Sequence, residues 1–193
     1  VFFNRFGQFI YREPRGRHAG YPMPEVGIHR GKLHRILFDA ACRQLGTDRI
    51  HTNRRCVGMT QDADGAHLSF VQGSDGTALP PVDCDLVVAC DGIHSALRKQ
   101  FYPDEKLAFA GINTWRGVTR HAPILTGKSY MRVGSIKTGK MVIYPIVDSV
   151  DEQGRQLVNW MAEIEGQDQA MNDWNTGGKV DDFLSIFADW KFD

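Results

Sequence analysis

The residues best placed to do chemistry gather around one dipeptide. Asp91-Gly92 follows the apolar run Leu86-Val87-Val88-Ala89 and precedes Ser95 and Arg98, in the string Cys90-Asp91-Gly92-Ile93-His94-Ser95-Ala96-Leu97-Arg98. An apolar run that short reads as a parallel strand buried on both faces. Gly92 permits a sharp turn and a close approach to the backbone, and Ser95 can cap the helix that follows. Ligands of open α/β sheets collect beyond the carboxyl ends of such strands. Asp-Gly is also a common turn dipeptide, so spacing alone leaves an ordinary strand-to-helix turn open.

Two further groups could bind something. Arg30, in Ile28-His29-Arg30-Gly31, stands where a helix begins, and unpaired N–H groups and the helix dipole favour an anion such as a diphosphate there. A solvated arginine at a helix entrance is the competing reading. Phe109 to Thr119 and Met141 to Ile146 are aromatic-rich strands carrying Trp115 and Tyr144. Along the first, Ile112 and Thr114 face one side and Asn113 and Trp115 the other. Either face could be plain core.

Other chemistries find no support. The seven histidines do not fall at metal-ligand spacings, and Cys42, Cys56, Cys84 and Cys90 form no C-x-x-C pair. They are expected to be buried thiols of a reducing cytoplasm. No G-x-S-x-G string is present, so a serine hydrolase is not indicated. Lys plus Arg and Asp plus Glu number 23 each, so no net field draws the chain to nucleic acid or an anionic membrane. No apolar run approaches the roughly 20 residues of a membrane span. With 193 residues, 42% of them hydrophobic, the chain can bury a sizeable core. It starts at Val1 and stops after an amphipathic segment, which reads as the interior of a longer protein.

The elements that must position these residues follow from periodicity. Phe2 to Arg12 has strand composition and ends at Glu13-Pro14-Arg15-Gly16. Leu33, Ile36, Leu37, Ala40, Ala41 and Leu45 have the spacing of a helix laying one face on a core, with Gly46 to end it. Arg49 to Met59 and His67 to Gln72 read as antiparallel strands with turns at Asp62-Ala63-Asp64-Gly65 and Gly73-Ser74-Asp75-Gly76. Phe109 to Thr119, Ser129 to Val133, Lys140 to Val147 and Gln156 to Ile164 read as a sheet, and Val180 to Trp190 as an amphipathic helix. The fold class is mixed α/β. Part of a Rossmann-like domain, residues 27–102, is interleaved with an antiparallel-sheet domain made of residues 1–26 and 103–193.

The string Cys-Asp-Gly-x-x-Ser-x-x-Arg resembles the second dinucleotide signature of the FAD-dependent aromatic hydroxylases of the para-hydroxybenzoate hydroxylase type. Gly7-Gln8, Ile28-His29-Arg30-Gly31, Trp115-Arg116-Gly117-Val118-Thr119, Tyr144-Pro145-Ile146, Val158-Asn159-Trp160 and Phe187-Ala188-Asp189-Trp190 extend the resemblance along the chain. It implies FAD as cofactor, with Arg30, Asp91, Gly92, Ser95 and Arg98 among its ligands and Trp115 and Tyr144 at the substrate. It further implies NADH or NADPH and O₂ as co-substrates, a flavin C4a-hydroperoxide as oxidant, and a phenolic, salicylate-like or phenazine-like substrate. A homodimer is compatible with it.

The family's G-x-G-x-x-G and its later Gly-Asp motif are absent from these residues, so the segment alone is expected to be inactive. A related FAD epoxidase, halogenase or reductase, or a module that binds an aromatic ligand, is the alternative. The Trp-x-Trp-x-Ile string of the halogenases is absent.

Overall fold

A computed structural model describes residues 1–166, 177 and 179–191. In chain order the elements are β1 (Phe2–Phe3), β2 (Phe9–Tyr11), α1 (Arg30–Leu45), β3 (Arg54–Asp62), β4 (Gly65–Gln72), β5 (Ala78–Cys84) and α2 (Ala96–Phe101). Then come β6 (Ile112–His121), β7 (Met131–Ser135), β8 (Gly139–Val147), β9 (Gln156–Glu165) and α3 (Asp181–Phe187). They divide into two compact units, residues 1–35 with 109–193, and residues 36–108.

The first unit is a six-stranded sheet in the order β2-β1-β7-β8-β9-β6. All its pairings are antiparallel except β1 with β7. Strand alternation sorts its side chains. Met131 and Val133 of β7, Ile143 of β8, Trp160 and Ala162 of β9 and Trp115 of β6 share one face by register. Helix α3 covers that face, setting the Phe183 ring 5.6 Å from Trp115 and 5.9 Å from Trp160. Met131, Val133, Val158, Ala162 and Phe183 are buried there.

Two glycines fit this packing. Gly117 stands opposite Trp160, and the indole lies over it so closely that a Cβ would run into the ring. The indole N–H donates to Thr119 Oγ1 at 3.3 Å. Gly134 has a positive φ of 74° and lies under the Trp190 ring.

The second unit carries a three-stranded antiparallel sheet, β3-β4-β5, whose turns fall where the sequence places them. Ala66 and Leu68 of β4 are buried on one face. Gln100 of α2 clasps the backbone of Met59, donating from Nε2 to its carbonyl at 2.5 Å and accepting its N–H at 3.0 Å.

Three expectations change. The segment from Leu86 to Ala89 is in no sheet, and Leu86 and Val88 are 79% and 75% exposed. A strand needs a ladder partner for its N–H and C=O groups, and no strand of the described residues pairs with it. Helix α1 forms as its periodicity requires but buries no residue, so Leu33, Ile36, Leu37 and Leu45 stay exposed. None of the four cysteines is fully buried as expected: Cys42, Cys56 and Cys84 are half-buried and Cys90 is exposed. In addition, Phe2 to Arg12 splits into two short strands, because Asn4 Oδ1 accepts the N–H groups of Phe6 and Gln8 and folds the chain into a turn.

Replacing Gly117 by Val should force Trp160 off its seat and cost about 1–3 kcal/mol. Urea unfolding followed by tryptophan fluorescence should show a lower midpoint and an altered native emission. An unchanged midpoint would contradict the packing.

Candidate functional site

The Asp-Gly segment is a capped turn even without its strand. Ser95 is the N-cap of α2, and its Oγ accepts the Arg98 N–H at 2.9 Å. One Asp91 oxygen accepts the Ala96 N–H at 3.0 Å. Hydrogen bonding from Ser95, and then from the backbone of the helix start, holds the Asp91 carboxyl below its ordinary value of 3.8. Gly92, at φ +80°, accepts the Ser95 N–H at 3.1 Å and closes the turn. Nothing lies within 4 Å of where its Cβ would stand, so the backbone there is open to a ligand.

A cavity of about 630 Å³ opens beside the turn, bordered by Asp91, Gly92 and Ser95 with Met59, Gln61 and Ala66 of the neighbouring sheet. Its charge is not that of a phosphate site. Asp85 and Asp91 both border it, and the one guanidinium among its lining residues, that of Arg98, is committed elsewhere. Arg98 donates from Nε and Nη2 to Glu105 at 2.5 Å each and lies 5.4 Å from the Tyr102 ring centroid. Carboxylates and an open glycine suit the hydroxyls of a ribose or ribityl chain better than a diphosphate. The Arg98 to Glu105 spacing was visible in the sequence, but a pair seven residues apart declares itself only once α2 ends at Phe101.

Arg30 opens α1 and is exposed, with no ion-pair partner among the described residues. The preceding imidazole, His29 Nδ1, accepts the Gly31 N–H at 3.1 Å. The helix start is therefore partly capped from within, while the Arg30 guanidinium stays exposed. Gly27 lies three residues earlier, and its backbone presses on β8: a Cβ there would stand 2.5 Å from the Pro145 carbonyl oxygen and 3.1 Å from the Tyr144 ring. Three Cα steps place Arg30 within about 11 Å of that contact.

Tyr144 and Trp115 do not share a surface. Register puts Tyr144 with Lys140, Val142, Asn159, Met161 and Glu163, on the face away from α3, whereas Trp115 packs under Phe183. Both were expected at the substrate; the period-two register puts them on opposite faces, with Trp115 half-buried against Phe183. Sequence reading missed what accompanies Tyr144. Tyr130 stacks on it at 5.5 Å, and burial pushes the Tyr130 phenol upward. Lys140 pairs with Glu163, and Arg132 Nε and Asn159 Nδ2 are buried without an acceptor among the described residues. Only cross-strand pairing reveals this grouping.

The family described as FAD binding domain matches residues 10–177. The chain belongs to it. Phenazine 1,6-dicarboxylic acid hydroxylase PhzS of Lysobacter antibioticus is 32% identical, over 96% of this chain and 47% of that protein. A 2,6-dihydroxypyridine 3-monooxygenase of Paenarthrobacter nicotinovorans is 28% identical, over 67% and 33%. The 3-amino-4-hydroxybenzoate 2-monooxygenase PtnB3 of Streptomyces platensis is 26% identical, over 90% and 40%. The chain thus spans half or less of the curated relatives it matches. The expected kinship with FAD-dependent aromatic hydroxylases holds. The crystal structure of FqzB shares the fold, with a TM-score of 0.64 at 19% identity over 98% of this chain and 42% of that one.

Ser95→Ala should cost about 1 kcal/mol by loss of the cap. Because the folded Asp91 value lies below 3.8, its contribution is present above that pH and lost as pH falls through the lowered value. Thermal melts between pH 2 and 5 should therefore be flatter for Ser95→Ala than for the parent chain. Gly92→Ala should cost about 1–2 kcal/mol through its left-handed backbone alone, and a neutral result would remove the turn from the argument.

Proposed function

We propose that the protein carrying this chain is an FAD-dependent monooxygenase that uses NAD(P)H and O₂ to hydroxylate a planar aromatic substrate. One observation carries most of this reading: the Asp91-Gly92 turn, capped through Ser95 and open above Gly92, in a chain of the FAD binding domain family. Arg30 would hold a phosphate of the cofactor, since its guanidinium has no other partner among the described residues and stands at a helix start. Asp91 and the Gly92 backbone would hold hydroxyl groups. Arg98, tied to Glu105, would shape the α2 end rather than touch the cofactor.

When bound, FAD supplies the electron transfer and oxygen chemistry that side chains lack. The chain's own residues then bind, orient and exclude water. The Tyr144 face supports an aromatic substrate, with Tyr130 and Tyr144 for ring contact and the donors of Arg132 and Asn159 for oxygen substituents. With its value raised by burial, the Tyr130 phenol keeps its proton at neutral pH and can donate it to a hydrogen bond. The names of the relatives, which act on phenazine, pyridine and hydroxybenzoate rings, support this choice of substrate class without selecting among them.

Arg30→Ala should weaken FAD binding by about one to two decades, the loss of one charge-assisted hydrogen bond worth about 1.5–3 kcal/mol. Flavin fluorescence titration checks this, and an unchanged dissociation constant would remove Arg30 from the site. Residues 1–193 expressed alone should retain little FAD, show no NAD(P)H-dependent hydroxylation and associate, because Leu86, Val88 and the α1 stripe stay exposed. A monomer that copurifies with stoichiometric flavin would overturn that expectation.

A further inference from the structure

His67, on the central strand β4, is gripped from both sides. Its Nδ1 lies 2.7 Å from Asp83 Oδ1 on β5, and its Nε2 lies 3.1 Å from Asp62 Oδ2 at the end of β3. A neutral imidazole has one N–H and one lone pair, so either tautomer would aim a lone pair at a carboxylate. The imidazolium alone donates to both. Asp62 is itself fixed, since its Oδ1 accepts the Asp64 N–H at 2.9 Å in the β3–β4 turn.

The cluster sits where the sheet ends. His67 is registered with Asp83, and Ala66 with Cys84. The Gly65 backbone approaches the Cys84 carbonyl so closely that a Cβ would stand 2.7 Å from its oxygen. The chain then leaves β5 through Asp85 and Leu86 toward Asp91, and Gly65, Ala66, Asp85 and Leu86 all border the cavity. Whatever holds this end of β5 against β4 also fixes where that segment starts.

We propose that Asp62, His67 and Asp83 form a proton-dependent latch, closed when His67 is cationic, that pins the end of the β3-β4-β5 sheet from which the cavity-bordering segment departs. The latch does not depend on what the cavity binds. The charged groups facing His67 are Asp62 from the β3 side and Asp83 from β5. The hydrogen bond to Asp83, and then that to Asp62, hold the imidazole above its ordinary value of 6.5. With the folded value raised, the latch contributes fully below pH 6.5 and is lost as pH rises through the folded value.

The test is a ring-carbon NMR titration of histidine-labelled protein, with amide exchange at residues 65–67 and 83–84 followed across pH 5 to 9. His67 should titrate above 6.5, and exchange at those amides, corrected for intrinsic rate, should quicken several-fold across that titration. His67→Gln should abolish the pH-dependent part, and Asp83→Asn should bring His67 down toward its ordinary value. A His67 that titrates at or below 6.5 in the wild-type protein overturns the latch, as does amide protection that does not change with its charge. The wild-type titration decides the matter even if a variant fails to fold.

Discussion

Strand β9 is hydrogen-bonded on one side to β8 and on the other to β6, with β6 paired over its full ten residues. The first unit depends on that double pairing. Once the register is set, every side chain of the three strands is assigned to a face, because a slip of one residue would exchange the two sets. Trp160, Ala162 and Val158 are thereby turned toward α3, and Asn159, Met161 and Glu163 away from it. The same constraint explains Gly117, which must leave room for the indole directly across from it. It also decides that Tyr144 and not Trp115 shares a surface with the buried polar donors.

The second unit shows how local and nonlocal forces separate. The turn at Asp91-Gly92 and the cap at Ser95 are made by residues within five positions of one another, and both are present. The strand before them needs a partner elsewhere in a sheet, and Leu86 and Val88 remain exposed without one. Side-chain capping satisfies a helix end from within the segment, whereas an apolar strand gains nothing until another surface removes it from water. Helix α1 obeys the same rule: its backbone bonds are internal and it forms, but its apolar stripe is uncovered.

The Asp91 turn and the start of α1 differ in their electrostatics. Around the Asp91 turn, carboxylates predominate and Arg98 is neutralised by Glu105. At the start of α1, Arg30 has no ion-pair partner among the described residues, and the His29 imidazole occupies one of the helix-start amides.

The amino-acid sequence by itself determined most of the elements and the turns between them. Period-two runs named β6, β8 and β9 to within a few residues, Asp-Gly and Gly-containing tetrapeptides placed the β3-β4-β5 turns, and Ser95 announced its helix. These depend on neighbours in the chain, which the sequence displays directly. It also supplied the string around Asp91-Gly92, from which the kinship with flavin hydroxylases follows. Tertiary structure alone decided that Trp115 packs against Phe183, that Tyr144 lies beside Tyr130 and Asn159, that Arg98 belongs to Glu105, and that His67 stands between two carboxylates. Each of these depends on cross-strand register or on the place where a helix stops, and residues far apart in the chain meet only when the strands pair.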